Sequence, residues 1–284
     1  MRIGCVPPFD APSSSMTDSR TDKHEDIRRD WNAAAYHRLS EPQFAWGLKV
    51  LDRLALLGTE RVLDAGCGSG RLTREVRARV PHGLVVGCDF SENMIRAAAK
   101  TLGRSMSGAL VRGDLSEMPF NAAFDAVYST ATFHWIRGHD RLFTELRRTL
   151  RGGGRLEAQC GGGSNLATIH ARADALAAEP IYRAYFVGWR DPWHFATPDD
   201  TEGRLRRAGF GIAHCWLEHA PTRFVDADAF RAFLRTVVLR PYLARIPKPE
   251  VQTNFLETIV EQAASDDPPF TLDYWRLNIS AKLE

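Results

Sequence analysis

Between Glu60 and Gln159, short apolar runs alternate with amphipathic helical segments, and this alternation constrains the fold more than any other feature of the chain. The runs are Arg61–Asp64, Gly83–Cys88, Ala109–Arg112, Ala126–Ser129 and Gly154–Gln159; the helical patterns lie near Arg71–Ala78, Glu92–Leu102 and Asp140–Leu150. Strands rich in Val, Leu and Ile that alternate with helices predict a parallel sheet covered on both faces. Right-handed crossovers wind such a sheet doubly, so the expected class is α/β with a Rossmann-like, mostly parallel sheet.

The flanking segments carry other patterns. Residues 1–24 are dominated by Pro, Ser, Asp and Thr and are expected to be a disordered tail, with Met16 a second possible start. Residues 25–58 predict two lid helices: Ile27, Trp31, Ala34 and Ala35 stripe the first, Phe44, Leu48, Leu51 and Leu54 the second, and Gly58 is its expected stop. The core is expected over 59–160, followed by a helical, aromatic insertion over 161–197. A core helix and strand follow over 198–225, with Asp199 or Asp200 near the helix start and "GIAHCWLEHAPTRF" alternating as a strand. Residues 226–267 predict a helical cap of two helices broken around Pro247 and Pro249. Residues 268–284 predict a final core strand with alternating side chains.

Composition excludes several function classes. Lys and Arg number 37 against 35 Asp and Glu, with both signs mixed, so no basic stripe marks a nucleic-acid binder. The five cysteines are scattered and form no CxxC pair. A disulfide framework, a zinc site or any other bound metal is therefore not expected, and a reducing cytoplasm fits. No window approaches the roughly 20 apolar residues of a membrane helix, and the N-terminus lacks a signal-peptide core. A monomer and a homodimer are both compatible with the chain.

In an open parallel sheet, ligands bind beyond the carboxyl ends of the strands. The run "VLDAGCGSGRLT" delivers Gly66, Gly68 and Gly70 to that edge, where glycine lets backbone approach a ligand. A dinucleotide fingerprint counted from Gly66 needs glycine at position 71, where Arg71 stands. Asp64 precedes the turn; a carboxylate there repels a pyrophosphate and attracts an ammonium group. The preferred ligand is thus a nucleoside with a positive tail and no phosphate, a description that fits S-adenosylmethionine. Asp89 ends the second run at the offset where an acidic residue takes ribose hydroxyls, and Asp114 follows the third, where it can accept from the adenine amine beside the Leu115 backbone. Each aspartate alone is equally a helix cap or turn residue; three on successive strand tips beside a glycine turn point to a cofactor site.

"VLDAGCGSGRLT", "VVGCDFSENMI", "GDLSEMPF", "FDAVYSTATFHWI" and "LRRTLRGGGRLEAQ" resemble, in order, the motifs of class I S-adenosylmethionine-dependent methyltransferases. The resemblance implies a seven-stranded sheet whose last strand is antiparallel. It also implies Asp64 and Gly66 near the methionine tail, Asp89 on the ribose and Asp114 with Leu115 on adenine, with Gly68, Phe90 and Met94 among the cofactor-binding residues. Thr130 and Ala131 would face the methionine part, with Trp135 beside them. "WNAAAYHRLSEPQ", "FHWIRGHDRLFTELRRTL" and "LEAQCGGGSN" resemble the trans-aconitate methyltransferase group, in which N-terminal helices close over the cofactor; Tyr36, Ser40 and Gln43 would then lid the site.

Such a reaction needs alignment more than acid–base chemistry, because a carboxylate acceptor is already ionised at neutral pH. A hydroxyl acceptor would profit from a base. His134, past the fourth strand, can donate to a carboxylate, take a proton, or simply fill space. Gln43 can donate to an acceptor oxygen or be a surface residue. Trp135 packs or donates once through its indole. The aromatics between Tyr182 and Phe195 suit both a substrate wall and cap packing, and Arg235, Arg240 and Arg245 suit both a carboxylate fork and a solvated face. The expected function is methyl transfer to a small molecule, most readily to oxygen of a carboxylate or hydroxyl. Carbon or nitrogen methylation, or a non-methylating member of the fold, are the alternatives.

Overall fold

The computed structural model describes residues 41–103 and 110–284. The expected tail, the first lid helix with Tyr36 and Ser40, and Ala109 lie outside the described residues. The second lid helix is α1 (Glu41–Arg53), and it ends five residues before Gly58. Ala55 turns left-handed at φ 47, and the Glu60 carboxylate then gathers the amides of Leu57, Gly58 and Thr59 at 2.7, 2.9 and 3.1 Å. That carboxylate, which also accepts from Arg155 at 3.1 Å, holds the connection as a turn and stops the helix early.

The core then alternates as its pattern predicts: β1 (Arg61–Ala65), α2 (Arg71–Arg79), β2 (Leu84–Asp89), α3 (Glu92–Leu102), β3 (Leu110–Arg112), β4 (Phe124–Thr130), α4 (His139–Thr149) and β5 (Leu150–Gly161). Next come α5 (Ala167–Ala178), α6 (Pro198–Arg207), β6 (Ile212–His219), β7 (Thr222–Arg223), α7 (Ala227–Phe233), α8 (Arg240–Leu243), α9 (Pro249–Ala264), β8 (Thr271–Leu272) and β9 (Trp275–Lys282). Seven strands form one sheet in the order β3-β2-β1-β4-β5-β9-β6. The first five run parallel; β9 is antiparallel to both β5 and β6, so the last strand has the inverted sense that the resemblance implies.

Alternation along β1 separates the two faces. Leu63 enters a cluster with Phe124, Leu142, Phe143 and Leu205, beneath α4 and α6. Its neighbour Val62 enters a second cluster with Val50, Leu51, Val76 and Ala98, beneath α1, α2 and α3. A third cluster lies outside the sheet and joins α5, α7, α8 and α9 through Ile169, Phe230, Tyr242, Phe255 and Ile259.

Four expected elements differ. The strand expected over Gly211–Phe224 is two, because the chain leaves the main sheet after His219 near Pro221, and β7 pairs with β8 outside that sheet. β5 starts directly after α4 instead of at Gly154; Leu150 pairs with Phe124 and Arg155 with Ala126, so the glycines of 152–154 bulge opposite a single partner residue. The final strand is two: Asp273 and Tyr274 separate β8, which pairs with β7, from β9. Its alternation also fails, because β9 lies between two strands with both faces covered, and Arg276, Leu277, Asn278 and Ile279 are all buried in succession. The cap has more pieces than two helices. α7 runs into a π turn over Leu234–Val238, closed by Leu239 N–H donating to the Leu234 carbonyl at 2.7 Å. Pro241 accounts for this: it has no N–H for the Val237 carbonyl, and its ring would strike that carbonyl in a regular helix. The break near Pro247 holds, and Pro249 opens α9, where a missing N–H costs nothing.

Candidate active site

The glycine turn is fastened to the end of β2. The amides of Gly66 and Cys67 donate to the Cys88 carbonyl at 2.8 and 3.0 Å, and Gly68 N–H donates to Asp89 Oδ2 at 2.9 Å. The other Asp89 oxygen accepts from Ser91 N–H at 2.8 Å, and the Ser91 hydroxyl caps α3 by accepting from Met94 N–H at 3.3 Å. One carboxylate thus ties turn, strand and helix start together. Asp114 does the same work locally, accepting from Ser116 N–H at 2.8 Å. The turn and cofactor readings of these aspartates are therefore compatible, since each oxygen retains further accepting capacity.

Asp64 is buried and accepts from the Thr73 hydroxyl at 2.6 Å. Burial pushes its carboxyl up to about 7 against that hydrogen bond, with the Asp89 charge adding to the rise. Asp89 is raised as well, again chiefly by burial. A carboxylate deprived of water beside a glycine turn, as Asp64 is, favours a neighbouring cation. The backbone leaves it room at Gly68, where a Cβ would meet nothing within 4 Å, whereas at Gly66 and Gly70 a Cβ would strike Thr132 and crowd Ala98; all three have positive φ, 89, 52 and 81 for Gly66, Gly68 and Gly70. The residues fit an adenosyl cofactor with a cationic tail.

Asp89, Phe90, Met94, Asp114 and Leu115 line one cavity with Gly66 and Gly68. Gln43, Thr130, Ala131, His134 and Trp135 line the same cavity, and Asp64 faces an adjoining hollow reached by Gln43, Gly66, Gly68, Thr130 and Ala131. Tyr36 lies outside the described residues. Gln43 is buried, not on the surface; its Nε2 donates to Tyr274 Oη at 3.4 Å, and its Oε1 has no partner among the described residues. The His134 Nδ1 accepts from Gly161 N–H at 3.3 Å. Burial and the nearby Arg276 charge hold its pKa down to about 3, so the ring is neutral. Trp135 packs on Trp193 with ring centroids 5.7 Å apart. The arginines considered as carboxylate forks, Arg235, Arg240 and Arg245, do not line this cavity; Arg245 donates instead to the Tyr185 and Val187 carbonyls.

Several lining residues lie outside the sequence motifs, namely His170, the valines at 237 and 238, Tyr274 and Arg276, while Thr132 and Asn165 lie within motifs that do not single them out. Thr132 braces the glycine turn from just past the end of β4, its hydroxyl donating to the Thr130 carbonyl at 2.9 Å and to the Gly66 carbonyl at 3.4 Å. Arg276 is 3 % exposed. Its guanidinium lies 4.1 Å from the Trp46 ring centroid and 5.6 Å from that of Tyr274. Its Nε donates to Gln159 Oε1 at 3.3 Å, and Gln159 in turn donates to Asn278 Oδ1 at 2.8 Å. For Arg276, a cation next to the start of the terminal strand, between Trp275 and Leu277, is the one hint that the sequence offers. The cavity thus has an acidic portion around the glycine turn and a portion with a buried cation and amide donors. No helix among the described residues is long and apolar enough to cross a membrane, and no group of His, Cys, Asp or Glu among them has metal-holding geometry.

A family profile described as a methyltransferase domain matches residues 62–154. The chain is 32% identical over 207 residues to the malonyl-[acyl-carrier protein] O-methyltransferase of Geobacter sulfurreducens, covering 69% of this chain and 76% of that protein. It is 29% identical over 257 residues to the trans-aconitate 2-methyltransferase of Variovorax paradoxus, covering 82% and 90%. Among solved structures, phosphoethanolamine N-methyltransferase 2 of Haemonchus contortus, in complex with phosphomonomethylethanolamine and S-adenosylhomocysteine, superposes with a TM-score of 0.56 at 18% identity. It covers 89% of this chain and 56% of that one, a likeness of fold. The glycine turn, the acidic strand tips, the sheet order and these relatives together show that the chain belongs to the class I S-adenosylmethionine-dependent methyltransferases, near the trans-aconitate methyltransferase group.

Proposed function

We propose that this enzyme methylates a carboxylate oxygen of a small acid. The observation that carries the proposal is Arg276, a buried cation in the wall of the cofactor cavity. A buried guanidinium offers a carboxylate charge-assisted, directional hydrogen bonds. The names of the trans-aconitate and malonyl-carrier relatives support an acidic acceptor.

The cofactor, when bound, supplies an electrophilic methyl group. The chain's own residues hold and orient. Asp64 and the glycine turn take the cationic tail, Asp89 the ribose, and Asp114 with Leu115 the base, with Phe90 and Met94 walling the adenosyl group. Arg276 holds the acceptor carboxylate, and Gln43 donates to one of its oxygens. His134, neutral and accepting at Nδ1, carries its proton on Nε2 and serves as a donor to the acceptor. No general base is required, because the acceptor is already ionised. Thr130, Ala131 and Trp135 border the transfer region, where alignment supplies much of the rate. Segments 161–197 and 226–267 act as the cap that excludes water. The buried free thiols at positions 67, 88, 160 and 215 support a cytoplasmic setting, for a monomer or a homodimer.

The test is S-adenosylhomocysteine release with matched acids, phenols and amines, using the wild type and Arg276→Met. Acids are expected to turn over, and Arg276→Met is expected to lose at least about a hundredfold in kcat/KM with cofactor affinity kept. Turnover confined to phenols or amines would refute the reading.

A further inference from the structure

We propose that the acceptor is a monocarboxylic acid with an apolar aryl or alkyl body, and that the valines at 237 and 238, set by the π turn before Pro241, select for that body. The inference rests on the carboxylate reading above and adds the chemistry of the rest of the molecule.

The wall beyond these groups is mostly aromatic and aliphatic, interrupted by Asn165 and by His170, whose buried Nε2 has no partner among the described residues. The His134 ring lies 5.9 Å from the Phe195 ring, which stacks on Trp193 at 6.4 Å and 11°. Trp193 also meets Trp135 and the edge-on ring of His170, the latter at 4.4 Å. Leu166 and both valines complete this side of the cavity. Two consecutive residues of a regular helix diverge by about 100°. A π turn carries one extra residue per hydrogen-bonded ring, and here Val237 and Val238 both line the cavity. Such turns recur at functional sites.

Charge argues the same way. Arg276 is the one Lys or Arg lining this cavity among the described residues. The two lining histidines are held neutral by burial, His134 at about 3 and His170 at about 4. Asp89 and Asp114 line the opposite part and repel further negative charge. An acid with two or three carboxylates would satisfy one on Arg276 and leave the others against valine, aromatic and neutral polar groups with no countercharge, where an unpaired ion is strongly disfavoured. An apolar body in the same place gains by leaving water. The proposed specificity therefore differs from that in the name of the trans-aconitate relatives.

The experiment measures kcat/KM for hexanoate and phenylacetate against adipate and trans-aconitate, with hexylamine and 4-ethylphenol as controls for the acceptor group. The apolar monoacids are expected to exceed the polyacids by at least about tenfold. Val237→Asn, at a half-buried position, is expected to narrow that ratio at least about fivefold through KM, with cofactor affinity unchanged. Calorimetry with S-adenosylhomocysteine present gives the same ranking as binding, independently of turnover. Polyacids preferred over monoacids would overturn the inference and leave the carboxylate reading intact. Turnover of the amine or phenol alone would overturn both. Failure of every monoacid to bind, or an unchanged ratio in Val237→Asn, also overturns the inference.

Discussion

The backbone N–H of Gly161 donates to Nδ1 of His134 at 3.3 Å, so the end of β5 dictates which imidazole nitrogen is protonated. An accepting Nδ1 leaves the proton on Nε2. With a pKa near 3, the ring neither charges nor works as a base in the neutral range. A His134→Gln variant, whose amide nitrogen replaces the Nε2 donor, is expected to keep at least about tenfold more kcat/KM than His134→Ala. The wild-type pH–rate profile is expected to show no inflection between pH 6 and 7 that His134→Gln removes. Finding one would make His134 a base.

Gly66 and Gly68 separate backbone geometry from ligand approach. A Cβ at Gly66 would stand 2.1 Å from the Thr132 hydroxyl oxygen on a φ of +89, whereas one at Gly68 would meet nothing. Gly66→Ala is expected to destabilise the fold by about 2 kcal/mol or more, since strained backbone and overlap add. Gly68→Ala, at φ +52, is expected to cost about 1 kcal/mol while weakening cofactor binding at least about tenfold. Denaturant unfolding and calorimetry on the two variants read this contrast. Equal affinity of Gly68→Ala and wild type would mean that the cofactor does not approach there.

The parts of the site legible in the sequence are those built from residues close together along the chain. Asp64, the three glycines and Asp89 sit on one strand–turn–helix unit and the next strand, and local rules govern such units. Arg276 and Tyr274 reach the cavity because β9 inserts between β5 and β6, a pairing between segments far apart in the chain that no local pattern encodes. The same insertion removes the alternation expected of that strand, since neither face meets water. Gln43 has the sequence setting of a helix-surface residue, and only the packing of α1 on the sheet turns it inward. The two cavity valines depend on how Pro241 widens the helix before it, a consequence of one missing amide.

Tyr128 ties α1 to the sheet. Its hydroxyl, fully buried on β4, donates to the Gly47 carbonyl at 2.9 Å. Tyr128→Phe removes that bond with little change in shape and is expected to cost about 1–1.5 kcal/mol in urea unfolding, with the slope unchanged. Because α1 carries Gln43, the same variant is expected to raise KM for the acceptor more than it lowers kcat. An effect on stability alone would show that the docking of α1 does not position Gln43.

The pH dependence of cofactor binding follows from Asp64. Burial lifts its carboxyl from the usual range near 3.8 to about 7. Between these values the folded protein holds a proton that the unfolded chain has lost. Raising pH across that window therefore removes Asp64's own contribution to the stability of the cofactor-free protein, against the gain from the buried neutral histidines, and above about 7 the Asp64 contribution is spent. In the proposed site a cationic amino group beside Asp64 reverses the preference, since it binds the carboxylate and not the acid. Cofactor affinity is expected to fall as pH drops below 7, approaching about tenfold per unit, with a proton released on binding at pH 6.5. Asp64→Asn is expected to bind weakly at pH 8, to lose that slope, and to lose Asp64's share of the pH dependence of stability, read as the difference from the wild type over the same range. Calorimetry in buffers of different ionisation enthalpy measures the released proton directly. A wild-type affinity that stays level from pH 6 to 8 would remove Asp64 from the cationic tail.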